Sequence, residues 1–123
     1  MHKPLDGLKL LVVDDDMALR DIVASAVVSK GATVHTADNG TVAFRMTQEL
    51  QIDVVILDVK MPGGDGVYLL ESIQKVEGPK PKVIMMTGSM GVSRQMLLKK
   101  GAFIVLTKPF TEKELLAAIL GQK

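Results

Sequence analysis

The chain has 123 residues, of which 47% are hydrophobic, and this is enough to form the core of one ordinary domain. Its 15 basic and 14 acidic residues give a formal net charge of +1, which provides no basic surface for nucleic acid. With three Phe and one Tyr, the chain also has too few aromatic rings for a base-stacking surface, so we expect no direct binding of nucleic acid.

The sequence has no feature typical of export or membrane insertion. No apolar run approaches the roughly 18 residues of a membrane-spanning helix, and the first residues, "MHKPLDG", lack the basic and apolar regions of a secretory signal. The absence of cysteine excludes disulfides and cysteine-bound zinc, and it is compatible with the cytoplasm. We therefore expect a cytoplasmic protein without a membrane segment.

Short apolar runs alternate along the chain with helical patterns. The runs predict five strands, at residues 8–13, 33–37, 53–57, 82–86 and 103–106. The first, third and fourth runs are almost continuously apolar, which is typical of strands covered on both faces. We therefore predict one α/β domain over residues 1–123, with its core between residues 8 and 120, as a doubly wound parallel sheet with helices on both faces.

Amphipathic helices fill the intervals between these strands. The first follows Asp16, which we interpret as its N-cap, and ends at Gly31. The last opens at Thr111, which forms a capping-box pattern with Glu114. The residues predicted to form buried helix faces are Leu19, Ile22, Val23, Ala26 and Val27 in the first helix, Val42, Ala43, Met46 and Leu50 in the second, Val67, Leu70 and Ile73 in the third, and Leu115, Leu116, Ile119 and Leu120 in the last.

Polar residues follow the carboxyl ends of four predicted strands, where open parallel sheets bind their ligands. The residues concerned are Asp14, Asp15 and Asp16 after the first strand, Asp58 after the third, Thr87, Gly88 and Ser89 after the fourth, and Thr107, Lys108 and Pro109 after the fifth. Carboxylates this close together need a counter-ion, and Mg²⁺ suits a site that offers one or two carboxylates and a phosphate. Lys108 and Thr87 could then contact phosphate oxygens, and one carboxylate would remain as a nucleophile.

Each of these residues also has a purely structural interpretation. Asp14 and Asp15 could be surface acids favoured by a helix N-terminus. Asp58 could be a turn residue, Thr87 a hydroxyl at a strand end and Lys108 a solvated surface lysine. If all of these interpretations held, four polar strand ends would meet in one place only by coincidence. We therefore favour a shared phosphate site.

With these motifs in this order, the sequence resembles the receiver domains of bacterial two-component response regulators. The matching motifs are "LVVDDD" (11–16), "ILDVKMPGGDG" (56–66), "MMTGS" (85–89) and "LTKPF" (106–110), and the resemblance covers residues 8–120. It implies a flavodoxin-like sheet of five strands in the order 2-1-3-4-5, with five helices on both faces.

The resemblance assigns the acceptor and the metal ligands. Asp58 occupies the position of the family's phosphoacceptor aspartate, before the "KMP" turn. Asp14 and Asp15 match the acidic pair that holds Mg²⁺, and the backbone carbonyl of Lys60, two residues beyond the acceptor, matches a further ligand.

The resemblance also assigns the phosphate contacts. Thr87 matches the family's switch hydroxyl, Lys108 its phosphate-binding lysine, and Gly88 the small residue that leaves room for the phosphodonor. The Lys108–Pro109 peptide is expected to be cis.

The function implied is signal transduction. A sensor histidine kinase or a phosphotransfer protein would donate a phosphoryl group from phosphohistidine to Asp58 in a Mg²⁺-dependent reaction, and the face formed by the fourth helix, fifth strand and fifth helix would then repack. Such a domain catalyses its own phosphorylation and dephosphorylation but is mainly a switch. The alternatives are a receiver-like interaction module that does not use phosphate, and a small phosphate-handling enzyme, against which the acidic first strand-helix turn argues.

The fifth strand departs from the family pattern. Three residues before the lysine, the family usually has Tyr or Phe, and this chain has Val105. Phe103 and Ile104 occupy positions that are commonly polar, and they either extend the buried strand or form an apolar patch for a homodimer or an effector. Met90 and Met96 could join such a patch. We also expect the fourth helix to be short or mobile, because "GSMGVS" is a weak helix start.

Overall fold

A computed structural model describes residues 2–61, 66–88 and 93–121 of the chain. Strands and helices alternate along the described residues. They are β1 (Lys9–Val13), α1 (Met17–Ser29), β2 (Thr33–Ala37), α2 (Gly40–Glu49), β3 (Val54–Asp58), α3 (Gly66–Gln74), β4 (Lys82–Thr87), α4 (Arg94–Lys99), β5 (Ile104–Thr107) and α5 (Glu112–Ile119). None of the helices in these ranges is long and apolar enough to cross a membrane.

The strands form one parallel sheet in the order β2-β1-β3-β4-β5, as predicted. β3 lies in the middle, between β1 and β4. Because the direction of winding changes between β1 and β3, the carboxyl ends of these two strands border the crevice where this fold type binds ligands.

Three strands end one residue later than the apolar runs predicted, and one of them is β5, which includes Thr107. β3 includes Asp58 and β4 includes Thr87, and Asp58 pairs with Met86 in the sheet. An apolar run reflects burial, whereas a strand is defined by its backbone hydrogen bonds, so each of these three predicted runs ended one residue before its strand does. The sheet therefore fixes the backbone of two of the predicted site residues.

A hydrophobic core covers each face of the sheet. Alternate residues of the strands point to opposite faces, so that Leu11 and Val55 belong to the core under α2, α3 and α4, whereas Leu10 and Ile56 belong to the core under α1 and α5. All four of these side chains are fully buried. This two-sided covering explains why β1, β3 and β4 read as continuous apolar runs.

Two residues of the predicted helix faces are exposed, so the prediction that they are buried is wrong. Ile22 of α1 has 66% of its surface exposed, whereas its neighbour Val23 has 2%. Val23 and Val27 lie at the centre of the helix face that packs on the sheet. Because successive helical residues lie about 100° apart around the axis, Ile22 lies at the edge of that face. Leu120 is 42% exposed because it is the C-cap of α5 and lies beyond the helix.

The predicted helix ends are confirmed. The Asp16 side chain accepts a hydrogen bond from the Leu19 backbone N–H at 3.1 Å, which caps α1. Gly31 follows the C-cap with a φ of +104°, a left-handed conformation that favours glycine. Thr111 and Glu114 form the reciprocal capping box at the start of α5.

The fourth helix is short, as predicted. α4 has six residues and begins after its N-cap, Ser93. Met90 lies outside the described residues, as do Ser89, Gly63 and Gly64. The mobility of α4 stays a prediction, which strong amide-exchange protection of its residues would contradict.

Candidate functional site

Three carboxylates meet at the carboxyl ends of β1 and β3. Oxygen atoms of Asp14, Asp15 and Asp58 all lie within 4.8 Å of one another. Asp14 follows β1 directly, and its backbone N–H donates to the Ala37 carbonyl, which continues the pairing with β2. Asp58 is the last residue of the neighbouring strand β3. Asp14 and Asp58 are buried, with 0% and 8% exposure, whereas Asp15 is exposed.

Of these three carboxylates, Asp14 is the most deeply buried. Its Oδ1 accepts a hydrogen bond from the Asp16 backbone N–H at 2.9 Å, and its buried Oδ2 has no hydrogen-bond partner among the described residues. Burial raises the pKa of Asp14, and the charges of Asp58 and Asp15 act in the same direction, whereas the Asp16 hydrogen bond and Lys108 oppose the rise. An unpaired, buried oxygen beside two other carboxylates is a ligand that a hard divalent cation would satisfy.

Lys108 supplies a positive charge next to Asp58. Its Nζ lies 3.2 Å from Asp58 Oδ1, and both side chains are largely buried. The Lys108 backbone N–H donates to the Thr87 carbonyl at 2.7 Å, which fixes the residue beside the end of β4. The Lys108–Pro109 peptide is cis, as predicted. Asp58 therefore has two acids and one ammonium group as close neighbours.

An open pocket of about 270 Å³ connects Asp58 to the remaining predicted site residues. It is lined by Asp58, Val59, Lys60, Thr87, Gly88 and Lys108. Thr87 is buried at the end of β4, and Gly88 is exposed beside it. The residues assigned as acceptor, metal ligands and phosphate contacts therefore lie in one place, in the acidic cluster or around this pocket. Their chemical roles stay predictions.

Sequence reasoning missed one residue beside the acidic cluster. Arg20 of α1 donates a hydrogen bond from Nη1 to the Asp14 backbone carbonyl at 3.1 Å. The position of Arg20, one turn after the N-cap Asp16, could have indicated this contact, because helical side chains lean towards the N-terminus of their helix. Arg20 therefore holds the backbone of the most buried carboxylate.

The residues that depart from the family pattern lie on a different surface. The Val105 side chain is buried, and its carbonyl accepts a hydrogen bond from Arg94 Nη2 at 2.9 Å, which joins β5 to α4. Phe103 and Ile104 are half-buried, and their role as a patch for a homodimer or an effector stays a prediction. They line a groove of about 350 Å³ between α4 and α5, together with Arg94, Leu98, Val105, Leu106, Glu114, Ala117 and Ala118. The Lys82 ammonium lies 4.6 Å from the centre of the Phe103 ring.

Comparison with known proteins gives a consistent result. The family model for the response regulator receiver domain matches residues 10–120. The transcriptional regulatory protein CpxR homolog of Haemophilus influenzae is 36% identical over 111 residues, which are 90% of this chain and 48% of that protein. The DNA-binding transcriptional regulator NtrC of Azospirillum brasilense is 32% identical over 115 residues, which are 94% of this chain and 24% of that protein.

Solved structures agree with these relatives. A response regulator receiver domain protein from Clostridium thermocellum superimposes with a TM-score of 0.86 and 35% identity, over 94% of this chain and 93% of that one. The chemotaxis protein CheY4 of Vibrio cholerae gives a TM-score of 0.83 and 29% identity, over 92% of this chain and 96% of that one. The chain spans a quarter to a half of the two transcriptional regulators, with 24% of one and 48% of the other. It belongs to the response regulator receiver domain family of two-component systems.

Proposed function

We propose that this chain is a phosphorylation switch in which Asp58 accepts a phosphoryl group from the phosphohistidine of a sensor histidine kinase or a phosphotransfer protein. The observation that carries the proposal is the position of the Asp58 carboxylate. It lies at the end of the central strand, within 4.8 Å of two other acids and 3.2 Å from the Lys108 ammonium. Nothing in the described residues favours the alternative of a module that does not use phosphate.

These positions support a direct transfer of the phosphoryl group to Asp58. An oxygen of the Asp58 carboxylate attacks phosphorus, the bond from phosphorus to the partner's imidazole nitrogen breaks, and the imidazole leaves with the bonding electrons. The transferred group carries its negative charge on its other oxygens, so catalysis consists mainly of positioning and charge neutralisation. Lys108 provides one positive charge next to the acceptor, and the Thr87 hydroxyl is a donor for a phosphoryl oxygen.

The acidic cluster fits a magnesium ion. Asp14, Asp15 and Asp58 would hold it, with the backbone carbonyl of Lys60 as a further ligand, and the unpaired Oδ2 of Asp14 supports this assignment. When bound, Mg²⁺ supplies positive charge that offsets both the carboxylates and the incoming phosphoryl group.

The output of the switch is proposed to lie on α4, β5 and α5. Attraction of Thr87 to the new phosphoryl group would move the end of β4. The Lys108 backbone and β5 are hydrogen-bonded to this part of β4. The change would shift the population of two arrangements of this face. Phe103, Ile104 and Val105 would then present a surface for a homodimer or an effector. The Arg94–Val105 hydrogen bond joins α4 to β5 on this face.

Intact mass after incubation with acetyl phosphate tests the proposed function. We expect one phosphoryl adduct on the wild-type chain in Mg²⁺, none without Mg²⁺, and none on Asp58→Ala. Asp21→Ala is the matched control, because Asp21 is an exposed aspartate of α1 outside the acidic cluster. If the wild-type chain gains no adduct and does not bind beryllofluoride in Mg²⁺, the proposal is wrong.

The partner that carries the phosphohistidine must cover the surface next to Asp58. A groove of about 540 Å³ starts at Gly88 and Lys108 and runs between α1 and the beginning of α5. Its other lining residues are Leu19, Ile22, Val23, Ala26, Pro109, Phe110, Glu112 and Leu115. Most of these are apolar, and Ile22 is largely exposed, which supports apolar packing of the partner in this groove.

Replacing Ile22 with Asp tests this docking surface. We expect phosphotransfer from a phosphorylated histidine kinase domain to slow by about 10-fold or more. In the complex, the Asp carboxylate would be buried at the interface in place of an apolar contact. Phosphorylation by acetyl phosphate should stay unchanged, since it needs no docking. Val28→Asp is the matched control: Val28 is 53% exposed on the same helix but lies outside the groove. Equal rates for Ile22→Asp and Val28→Asp with the kinase domain would contradict the assignment.

A further inference from the structure

The first residue of α3 lies against the backbone of the proposed acceptor. A Cβ atom on Gly66 would collide with the Asp58 carbonyl oxygen, and it would lie 3.0 Å from the Asp58 carbonyl carbon and 3.1 Å from Val59 Cα. The Gly66 backbone N–H donates to the Val59 carbonyl at 2.9 Å. Gly66 is buried, and the absence of a side chain is what permits this close approach.

The opposite side of the same backbone segment is held by β4. Asp58 pairs with Met86, and the Val59 backbone N–H donates to the Met86 carbonyl at 3.0 Å. The acceptor and its successor are therefore held between a strand on one side and the start of a helix on the other.

α3 cannot easily move away from this contact. Its buried residues Leu69, Leu70 and Ile73 belong to the core under the sheet, and each is at most 2% exposed. Because core packing is dense, a methyl group added at Gly66 must displace either the packed helix or the backbone that carries the acceptor.

We propose that Gly66 is a positioning residue for the phosphoryl acceptor, which it serves by letting α3 brace the Asp58–Val59 backbone. The inference rests on the proposed function. Asp58 must keep its carboxylate 3.2 Å from Lys108 and within 4.8 Å of the other two acids, and Gly66 acts on the backbone from which that carboxylate extends. Displacements of about 1 Å at a reacting group cost on the order of 100-fold in rate.

Gly101 provides a matched control for the added methyl group. A Cβ there would also meet a neighbour too closely, the Gln74 side chain at 2.5 Å, and its φ of +114° disfavours alanine. Gly101 lies between α4 and β5, away from the acidic cluster. Gly101→Ala therefore reports what a strained methyl group does to folding alone.

The test compares Gly66→Ala with Gly101→Ala under conditions in which circular dichroism shows both variants folded. We expect Gly66→Ala to slow adduct formation with acetyl phosphate by roughly 10- to 100-fold. We also expect weaker Mg²⁺ binding by calorimetry, because Asp58 is one of the proposed ligands. Gly101→Ala should lower the thermal midpoint while its phosphorylation rate stays within about twofold of wild type.

A Gly66→Ala rate within twofold of wild type, or an equal loss in both variants, would overturn the inference. Failure of the wild-type chain to gain an adduct would instead overturn the proposed function. Should Gly66→Ala not fold, amide exchange of the wild-type chain decides the matter. The amides of Gly66 and Val59 should exchange as slowly as those of β3 and slow further in beryllofluoride and Mg²⁺, whereas fast exchange at Gly66 or no response to beryllofluoride would overturn it.

Discussion

Replacing Asp14 with Asn is expected to stabilise the magnesium-free protein and to remove its phosphorylation. The wild-type chain buries a carboxylate beside two others and leaves its Oδ2 without a partner among the described residues. The neutral amide removes the charge, so the free energy of unfolding should rise by about 1 kcal/mol or more. The rate of adduct formation with acetyl phosphate should fall by about 100-fold or more, because a proposed magnesium ligand is lost.

The direction of the Asp14 pKa shift predicts how the stability difference between the two proteins changes with pH. Burial, first, and then the neighbouring acids raise the pKa of Asp14 above its ordinary value of 3.8. The folded state therefore binds the Asp14 proton more tightly than the unfolded chain does. The contribution of Asp14 to stability is fully present below pH 3.8 and is lost as the pH rises through the raised pKa. The advantage of Asp14→Asn over wild type should accordingly be largest near neutral pH and shrink in acid.

Urea unfolding of both proteins between acid and neutral pH measures this difference. Asp15→Asn is the control, because Asp15 is exposed and its replacement should change stability little. Added Mg²⁺ should stabilise the wild-type chain through binding to the folded state alone, and Asp14→Asn much less. An Asp14→Asn protein that is less stable than wild type at neutral pH without Mg²⁺ would contradict the account of the acidic cluster.

Replacing Lys108 with Ala is expected to affect both reaction and stability. The ammonium lies 3.2 Å from Asp58 Oδ1 in a largely buried pair, and it is the proposed contact for the transferred phosphoryl group. Its loss should slow adduct formation by about 100- to 1,000-fold, the effect of removing one charge-stabilising donor. It also leaves the buried Asp58 carboxylate unpaired, which should lower the free energy of unfolding by about 1–3 kcal/mol.

Lys100→Ala is the matched control for the loss of a lysine ion pair. Lys100 Nζ lies 3.0 Å from Glu71 Oε2, but both side chains are more than a third exposed. Removing this surface pair should cost at most about 1 kcal/mol and should not change the phosphorylation rate. The comparison uses adduct formation and urea unfolding of both variants, and equal phosphorylation rates would contradict the role given to Lys108.

The fold could be predicted because its main signals are local. Strands that are covered on both faces read as apolar runs, and helix ends read as caps at Asp16 and Thr111. The errors concern burial at the edges of helices, which depends on tertiary packing and not on the local pattern. The helical period placed Ile22 on the buried stripe, but the depth at which α1 packs on the sheet decides where that stripe ends. The burial of Phe103 and Ile104 was left undecided for the same reason, since they line a groove between α4 and α5.

The candidate site was predictable as a set of strand ends, because a parallel sheet brings the carboxyl ends of its strands to one edge. What sequence reasoning missed acts through backbone atoms. Arg20 contacts the carbonyl of Asp14, and Gly66 lies against the carbonyl of Asp58. A list of side chains in order does not show which carbonyl another residue reaches, so these contacts required the structure.

The most direct test of the central claim is to locate the phosphoryl group. The wild-type chain is phosphorylated with acetyl phosphate in Mg²⁺, the acyl phosphate is reduced with borohydride, and the altered residue is identified by peptide mass spectrometry. The account predicts a single altered aspartate, Asp58, at the end of the central strand. Modification of Asp14 or Asp15 instead, or of no aspartate, would contradict it.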